Sequence, residues 1–388
     1  MNRYIIVGAG AAGTEAAAAV LERDVEARVD LFNAEPDLPY YRPQLTKIID
    51  DLSPPRPIKP KSFFSTPGLH FHPETTVKSI DTLEKRIFTA GKIYPYDKLI
   101  FCCGADALLP AIQNPGNARL FSIRTFSDVQ RLHVAAKSRK TAAVIGGGPL
   151  GLEIAESLTR LGLRVTVYET FTRILGRQTD GEAALFITEF LKSNGISFSV
   201  GAQFTVTAPH CIAPYGELPR PADVIIVSAG IKPRIRLAAE AGIKTNRGIL
   251  VDDRMQTSAP DVYAAGDCCE RENGALCGMW SLAGDQGRTA AANATGNSES
   301  FTPKAGKLMM TLFGKIVLSL GRPEAQGENG SARTFLKKSN GSYLRIFTDG
   351  QKCTGLIFLG PPNEAAAAVS VFGRAVSVGS AAPVEGFQ

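Results

Sequence analysis

A chain of 388 residues, 44% of them hydrophobic, is long enough for two to three domains and a large core. Its net charge of +6 is modest and no basic tract interleaved with aromatics occurs, which argues against a nucleic-acid partner. No run of about 18 apolar residues is present to cross a bilayer, and seven cysteines without a CxxC pair give neither a disulfide framework nor a common zinc pattern.

Residues 4–13 read YIIVGAGAAG. Ile5, Ile6 and Val7 form a short apolar run suited to a buried parallel strand, and the alanine-rich stretch 14–21 reads as helix. Between them Gly8, Gly10 and Gly13 hold the GxGxxG spacing. In that setting Gly8 permits the tight turn, Gly10 lets the backbone approach a pyrophosphate, and Gly13 allows close helix–strand packing. The helix N-terminus adds free N–H groups and about half a positive charge. A secretory signal needs a basic start and then about 7–15 apolar residues; here Arg3 is followed by too short a run, broken by the glycine loop. The expectation is a soluble, cytoplasmic protein with no membrane association.

Residues 29–32 read as the second strand of this unit. An acidic residue about 20 positions past the glycines normally holds a ribose hydroxyl. Asn33 and Glu35 are the candidates, and Glu35 has the right chemistry. The stretch 38–47, LPYYRPQLTK, reads as a loop entering a helix at Gln44. Arg42 and Lys47 within it suit phosphate or ring contacts, or equally serve as surface cations. SPPRPIKPK at 53–61 is a proline-rich bend. His70 and His72 alternate on a strand-like segment and so share a face. They read as surface histidines, because a metal site would need further ligands nearby. YPYDKLIFCC at 94–103 is another strand running into a turn at Gly104.

TAAVIGGGPLGLEIAE at 141–156 repeats the opening theme, with Gly146, Gly148 and Gly151 at the same spacing. One glycine turn can be purely structural. Two in matching contexts imply two dinucleotides, or one held twice. The strand at 165–168 runs into Glu169, whose carboxylate would accept from the 2′-hydroxyl of NADH and repel the 2′-phosphate of NADPH. At about 4 Å even bulk water leaves roughly 1 kcal/mol of repulsion per charge pair. Arg173, one helical turn on, argues the other way; NADH remains the better fit.

ADVIIVSAG at 222–230 is a buried strand ending in a small-residue turn at Gly230. A further strand at 262–265 is closed by Gly266 and Asp267, and 281–296 reads as a long alanine-rich helix. The last quarter alternates strand-like runs at 316–320, 343–347 and 355–359 with a helical run at 363–376, a small mixed domain. From Phe301 onward ten basic residues face five acidic ones, so most of the positive excess lies there. It either steers an acidic protein partner or forms an ordinary solvated face. The neighbouring pairs Cys102, Cys103 and Cys268, Cys269 read better as small core fillers than as redox groups.

Taken in order, GAGAAG at 8–13, GGGPLGLE at 146–153 and TSAPDVYAAGD at 257–267 resemble the three signatures of the FAD-dependent pyridine-nucleotide–disulfide oxidoreductase superfamily. The likeness covers about residues 1–300. PYYRPQLTK at 39–47 and MWSLAGDQGRTAAAN at 279–293 look most like its NADH:rubredoxin reductase branch, which adjoins the ferredoxin reductases and the flavin portion of assimilatory nitrite reductase. The resemblance implies an α/β fold of glutathione-reductase type: an FAD-binding domain from 1–114 and 231–300, an NAD-binding domain at 115–230, and a small α+β domain at 301–388.

It also implies roles. Asp267 would hold the ribityl chain of FAD, Arg42 and Lys47 form the basic pair beside the flavin, and Glu153 pairs with Lys47 near flavin N5. Trp280 would lie close to the isoalloxazine, Glu35 at the adenosine ribose and Glu169 at the NAD ribose. Ala11, Ala12, Asn33, Cys103, Gly104, Leu150 and Gly230 complete the implied cofactor contacts, with no metal. One departure matters: disulfide reductases carry a cysteine pair in the first helix region or the NAD domain. Here 39–47 and the segment between Cys103 and Cys211 hold none. This removes disulfide chemistry and weakens coenzyme A disulfide reduction and cysteine-assisted NADH oxidation. The implied activity is hydride transfer from NADH to FAD, then single electrons to a small acidic carrier, rubredoxin or ferredoxin. An NADH oxidase, a nitrite-reductase component or a flavin-bound sensor are the alternatives. The protein is expected to be a monomer or homodimer.

Overall fold

The apolar run that opens the chain becomes the middle strand of a parallel sheet. In the computed structural model, which describes residues 2–109, 119–201, 203–208, 210–303, 306–321, 333–339, 341–348 and 352–372, the strand order is Val262–Ala264, Lys98–Phe101, Arg3–Val7, Arg28–Phe32, Leu69–His72. All neighbours pair in parallel. Ile5, Ile6, Leu99 and Ile100 are completely buried, as a parallel sheet covered on both faces requires. The helix Ala11–Arg23 follows the first glycine turn and packs on the helix Trp280–Ala294. Small residues permit this: a Cβ at Gly287 would stand 2.1 Å from the Ala12 carbonyl oxygen.

The second glycine turn sits in a sheet built the same way. Its order is Ile196–Val200, Arg164–Glu169, Thr141–Ile145, Val224–Val227, Leu120–Phe121, again all parallel. Two well-capped helices, Phe126–Ala136 and Gly181–Ser193, were not singled out in the sequence. Thr125 and Asp128 form a reciprocal capping box on the first and Asp180 caps the second. An antiparallel sheet follows, ordered Lys307–Leu312, Lys315–Gly321, Cys353–Gly360, Ser342–Thr348, Arg333–Ser339. The helix Pro362–Val371 covers Leu318, Leu344, Leu356 and Phe358 on one of its faces. The helical run expected at 363–376 is this helix, and 373–376 lie outside the described residues.

The chain divides into two units. One comprises Met1–Leu45, Pro54–Leu108 and Gly230–Lys304; the other comprises Thr46–Ser53, Leu109–Ala229 and Ala305–Gln388. Two local expectations change. Instead of an α-helix starting at Gln44, the chain forms a 3₁₀ turn at Arg42–Lys47, the tighter helix used in short connecting pieces. His72 is not a plain surface histidine. Its Nε2 lies 2.7 Å from the buried Asp30 carboxylate and its ring stacks on Phe32 at 4.5 Å, whereas His70 is exposed.

Candidate functional site

In the first unit each glycine of the opening turn has a distinct job. Gly8 adopts φ +108°, and a Cβ there would stand 2.2 Å from the Cys102 carbonyl oxygen. A Cβ at Gly13 would stand 1.8 Å from the Gly8 carbonyl oxygen. At Gly10 it would meet nothing within 4 Å. Two glycines are therefore compelled by packing, while the middle one faces open space at the start of a helix. Gly10 is the N-cap and supplies no side-chain cap, so the first-turn N–H groups of Ala11 and Ala12 are not taken by a capping side chain. A phosphate fits that opening.

Around this turn the unit gathers most of the residues implied for FAD. Glu35 receives hydrogen bonds from the Tyr40 hydroxyl and the Arg42 guanidinium. Asn33 instead donates to the main-chain oxygens of Glu35 at 2.9 Å and Asp37 at 3.0 Å, so its amide shapes the loop. Cys103 and Gly104 follow the strand Lys98–Phe101. Gly104 and Gly230 bracket a two-stranded ribbon, Ala105–Ala107 with Ile231–Pro233, closed by Arg234 N to Gly104 O and Leu108 N to Gly230 O, both 3.0 Å. Gly266 meets the first turn of the opening helix, where a Cβ would lie 3.0 Å from that of Ala12. Asp267 comes next and accepts from Gly278 N at 3.1 Å. Trp280 begins its helix and meets Tyr41 edge-on at 5.1 Å between ring centroids. A cavity of about 250 Å³ opens beside it, lined in part by Ala11, Ile58 and Gly284.

The second unit repeats the cradle. Gly146 has φ +117° and a Cβ would stand 2.2 Å from Ser228 O. At Gly151 it would stand 2.0 Å from Gly146 O, and at Gly148 nothing lies within 4 Å. Gly148 caps Pro149–Arg160 without a side-chain bond, and Leu150 sits half-exposed in the first turn. Glu169 accepts from Gly147 N at 2.8 Å and Phe171 N at 2.9 Å, which fixes its carboxylate against the glycine turn. Arg173 donates to Gly176 O at 3.3 Å.

The same unit holds Lys47 and Glu153, their charged atoms 3.5 Å apart. Glu153 is only 7% exposed, and burial pushes its carboxyl above the ordinary glutamate value, opposed by the Thr46 hydrogen bond and Lys47. Thr46 Oγ1 donates to it at 2.6 Å, and Ser157 Oγ donates to Thr46 O at 2.6 Å. Sequence reasoning missed Thr46, Ser157 and Tyr40; Thr46 adjoins Lys47, and Tyr40 lies two positions before Arg42.

The thiols behave as packing groups. Burial raises Cys102, Cys103 and Cys269, and lifts Cys268 to about 11 and Cys277 to about 12. A thiol held protonated is a poor nucleophile and a poor redox partner. All seven cysteines are unbridged, and among the described residues no cluster of His, Cys, Asp or Glu suits a metal ion. Among them, too, no helix is long and apolar enough to cross a membrane.

The family described as pyridine nucleotide-disulphide oxidoreductase matches residues 2–296. The chain is 31% identical over 377 residues to the assimilatory nitrate reductase electron transfer subunit of Bacillus subtilis, covering 94% of this chain and 48% of that protein. It is 32% identical over 279 residues to rubredoxin-NAD(+) reductase of Pseudomonas putida, covering 69% and 72%. The crystal structure of NADH:rubredoxin oxidoreductase from Clostridium acetobutylicum superposes with a TM-score of 0.78 at 26% identity, covering 98% of this chain and 97% of that one. The chain thus spans about half the length of the first relative and nearly three quarters of the second.

Proposed function

Because this chain belongs to the pyridine nucleotide-disulphide oxidoreductase family, we propose that it is an NADH-dependent FAD oxidoreductase that serves a small acidic electron carrier, rubredoxin first and ferredoxin second. The single observation carrying this reading is the duplicated cradle: in each unit the outer glycines are packed against backbone and the middle one faces open space. Bound FAD would supply a ring able to take a hydride from NADH and to give up electrons singly.

The chain's own residues hold and orient. The N–H groups of Ala11 and Ala12 take the FAD pyrophosphate, Glu35 the adenosine ribose and Asp267 the ribityl hydroxyls; Arg42 anchors Glu35. The turn at Gly148 takes the NADH pyrophosphate. Glu169, already fixed by two backbone N–H groups, accepts from the ribose 2′-hydroxyl and disfavours a 2′-phosphate. Lys47 and Glu153 tune the flavin electrostatically and position the nicotinamide; no protein acid or base is needed for hydride transfer itself. The absence of cysteine from 39–47, together with buried protonated thiols elsewhere, supports a route without a thiol relay.

The test is stopped-flow reduction of the FAD-loaded protein by NADH, followed by mixing with rubredoxin, ferredoxin, oxygen and nitrite in parallel. The reading expects fast bleaching by NADH and fastest reoxidation by rubredoxin. Preferential reoxidation by oxygen would favour the oxidase reading, and no bleaching would favour a sensor.

A further inference from the structure

Lys47 and Glu153 are not an isolated pair. The helix Pro149–Arg160 carries a second buried carboxylate one turn on, Glu156, only 4% exposed. That carboxylate faces away from Lys47 in its bonding. It accepts from Phe313 N at 2.9 Å and from the Arg160 guanidinium. Phe313 has φ +45° and precedes Gly314 at φ +77°, in the tight turn joining Lys307–Leu312 to Lys315–Gly321. Arg160 also lies 4.0 Å from Asp50 Oδ2. Asp50 belongs to the short stretch Thr46–Ser53, which is held to the same helix by Thr46 to Glu153, by Ser157 to Thr46 and, on a neighbouring helix, by His133 Nδ1 at 2.7 Å from Ile49 O.

One face of the helix therefore grips two separate pieces of chain. Glu153 and Ser157 hold the stretch bearing Lys47. Glu156 holds the hairpin tip. Arg160 touches both sets.

We propose that Glu156 is a positioning residue for the Lys47–Glu153 pair, anchoring the tip of the first C-terminal hairpin and, through Arg160 and Asp50, the seating of the stretch that carries Lys47. This rests on the proposed function only for its catalytic consequence; the structural coupling stands on unit-two contacts alone. Among the described residues the groups that face Glu153 are Thr46 and Lys47 from the stretch and Glu156 from its own helix. Those that face Glu156 are Arg160, Phe313 N–H and, across Arg160, Asp50. Burial raises the proton affinity of Glu153 most, and the like charge of Glu156 adds to it.

The experiment is carboxyl-carbon NMR titration of Glu153 in oxidised, FAD-loaded protein, with Glu153→Gln assigning the signal, alongside amide exchange at Phe313. Glu156→Gln removes the charge but keeps an acceptor for the Phe313 N–H, so it is the variant expected to fold in any case. It is expected to lower the proton affinity of Glu153 about threefold or more, with Phe313 exchange little altered. Glu156→Ala is expected to move the Glu153 titration the same way and also to speed Phe313 exchange at least about tenfold, through the lost acceptor. Phe313 exchange unchanged in Glu156→Ala, or a Glu153 titration unmoved in both variants, overturns the proposal. No NADH is present in these readouts, so a wild-type protein that NADH fails to bleach would sink the proposed function and leave this coupling to its own result.

Discussion

Glu153 illustrates how a side chain's surroundings set its chemistry. Burial raises its carboxyl above the ordinary value of 4.5, so protonation favours the folded state. That contribution is complete below the unfolded value and is lost as pH rises through the higher folded one. Glu153→Gln abolishes the titration. Thermal melts at a series of pH values should therefore show the variant gaining on wild type as pH climbs above 4.5; a constant difference would contradict the assignment. Lys47→Ala removes the opposing cation. Because Lys47 keeps 40% of its side chain exposed, the expected loss is about 1–2 kcal/mol, less than for a fully buried pair. The flavin spectrum should shift and its reduction by NADH should slow about tenfold or more; an unchanged spectrum and rate would remove Lys47 from the site.

At the scale of elements, the glycine turns separate folding from binding. Gly8→Ala forces a Cβ into the Cys102 carbonyl at a left-handed φ and should yield protein that folds poorly. Gly10→Val enters open space, so the protein should fold and lose FAD affinity; Gly148→Val should keep FAD and lose NADH. Equilibrium binding of each nucleotide, with a melt as control, checks all three. Equal losses of both nucleotides in Gly148→Val would break the assignment of one cradle to each. These turns were legible in the sequence because their spacing and flanking runs are local. What was not legible is long-range. Nothing local marks Thr46–Ser53 as packing with the second unit while Leu45 and Pro54 pack with the first. Likewise Asp30 is 42 residues from His72, so the pairing that takes that histidine off the surface depends on strand order. Glu156 reads as an ordinary helix residue until the hairpin tip arrives 157 residues later.

For the molecule as a whole, the basic excess beyond Phe301 offers two readings. Among its described cations, Arg345 is engaged by Asp180 at 2.9 Å and Glu182 at 3.0 Å, and Lys315 donates to Gly341 O while lying over the Phe190 ring. Of the other eight, Lys304, Arg322 and Arg374 lie outside the described residues. Steering by this region predicts carrier reduction that slows as ionic strength rises while NADH bleaching does not. A flat profile would leave it an ordinary solvated face. Beneath these predictions is the proposal that the duplicated glycine turn serves a flavin and a nicotinamide with no thiol relay. Anaerobic titration of the purified, FAD-loaded protein with NADH, with free thiols counted before and after, addresses that directly. The account predicts complete loss of the oxidised flavin absorbance at one NADH per flavin and an unchanged thiol count. A protein that will not take up FAD, or one that gains two thiols as the flavin is reduced, would contradict it.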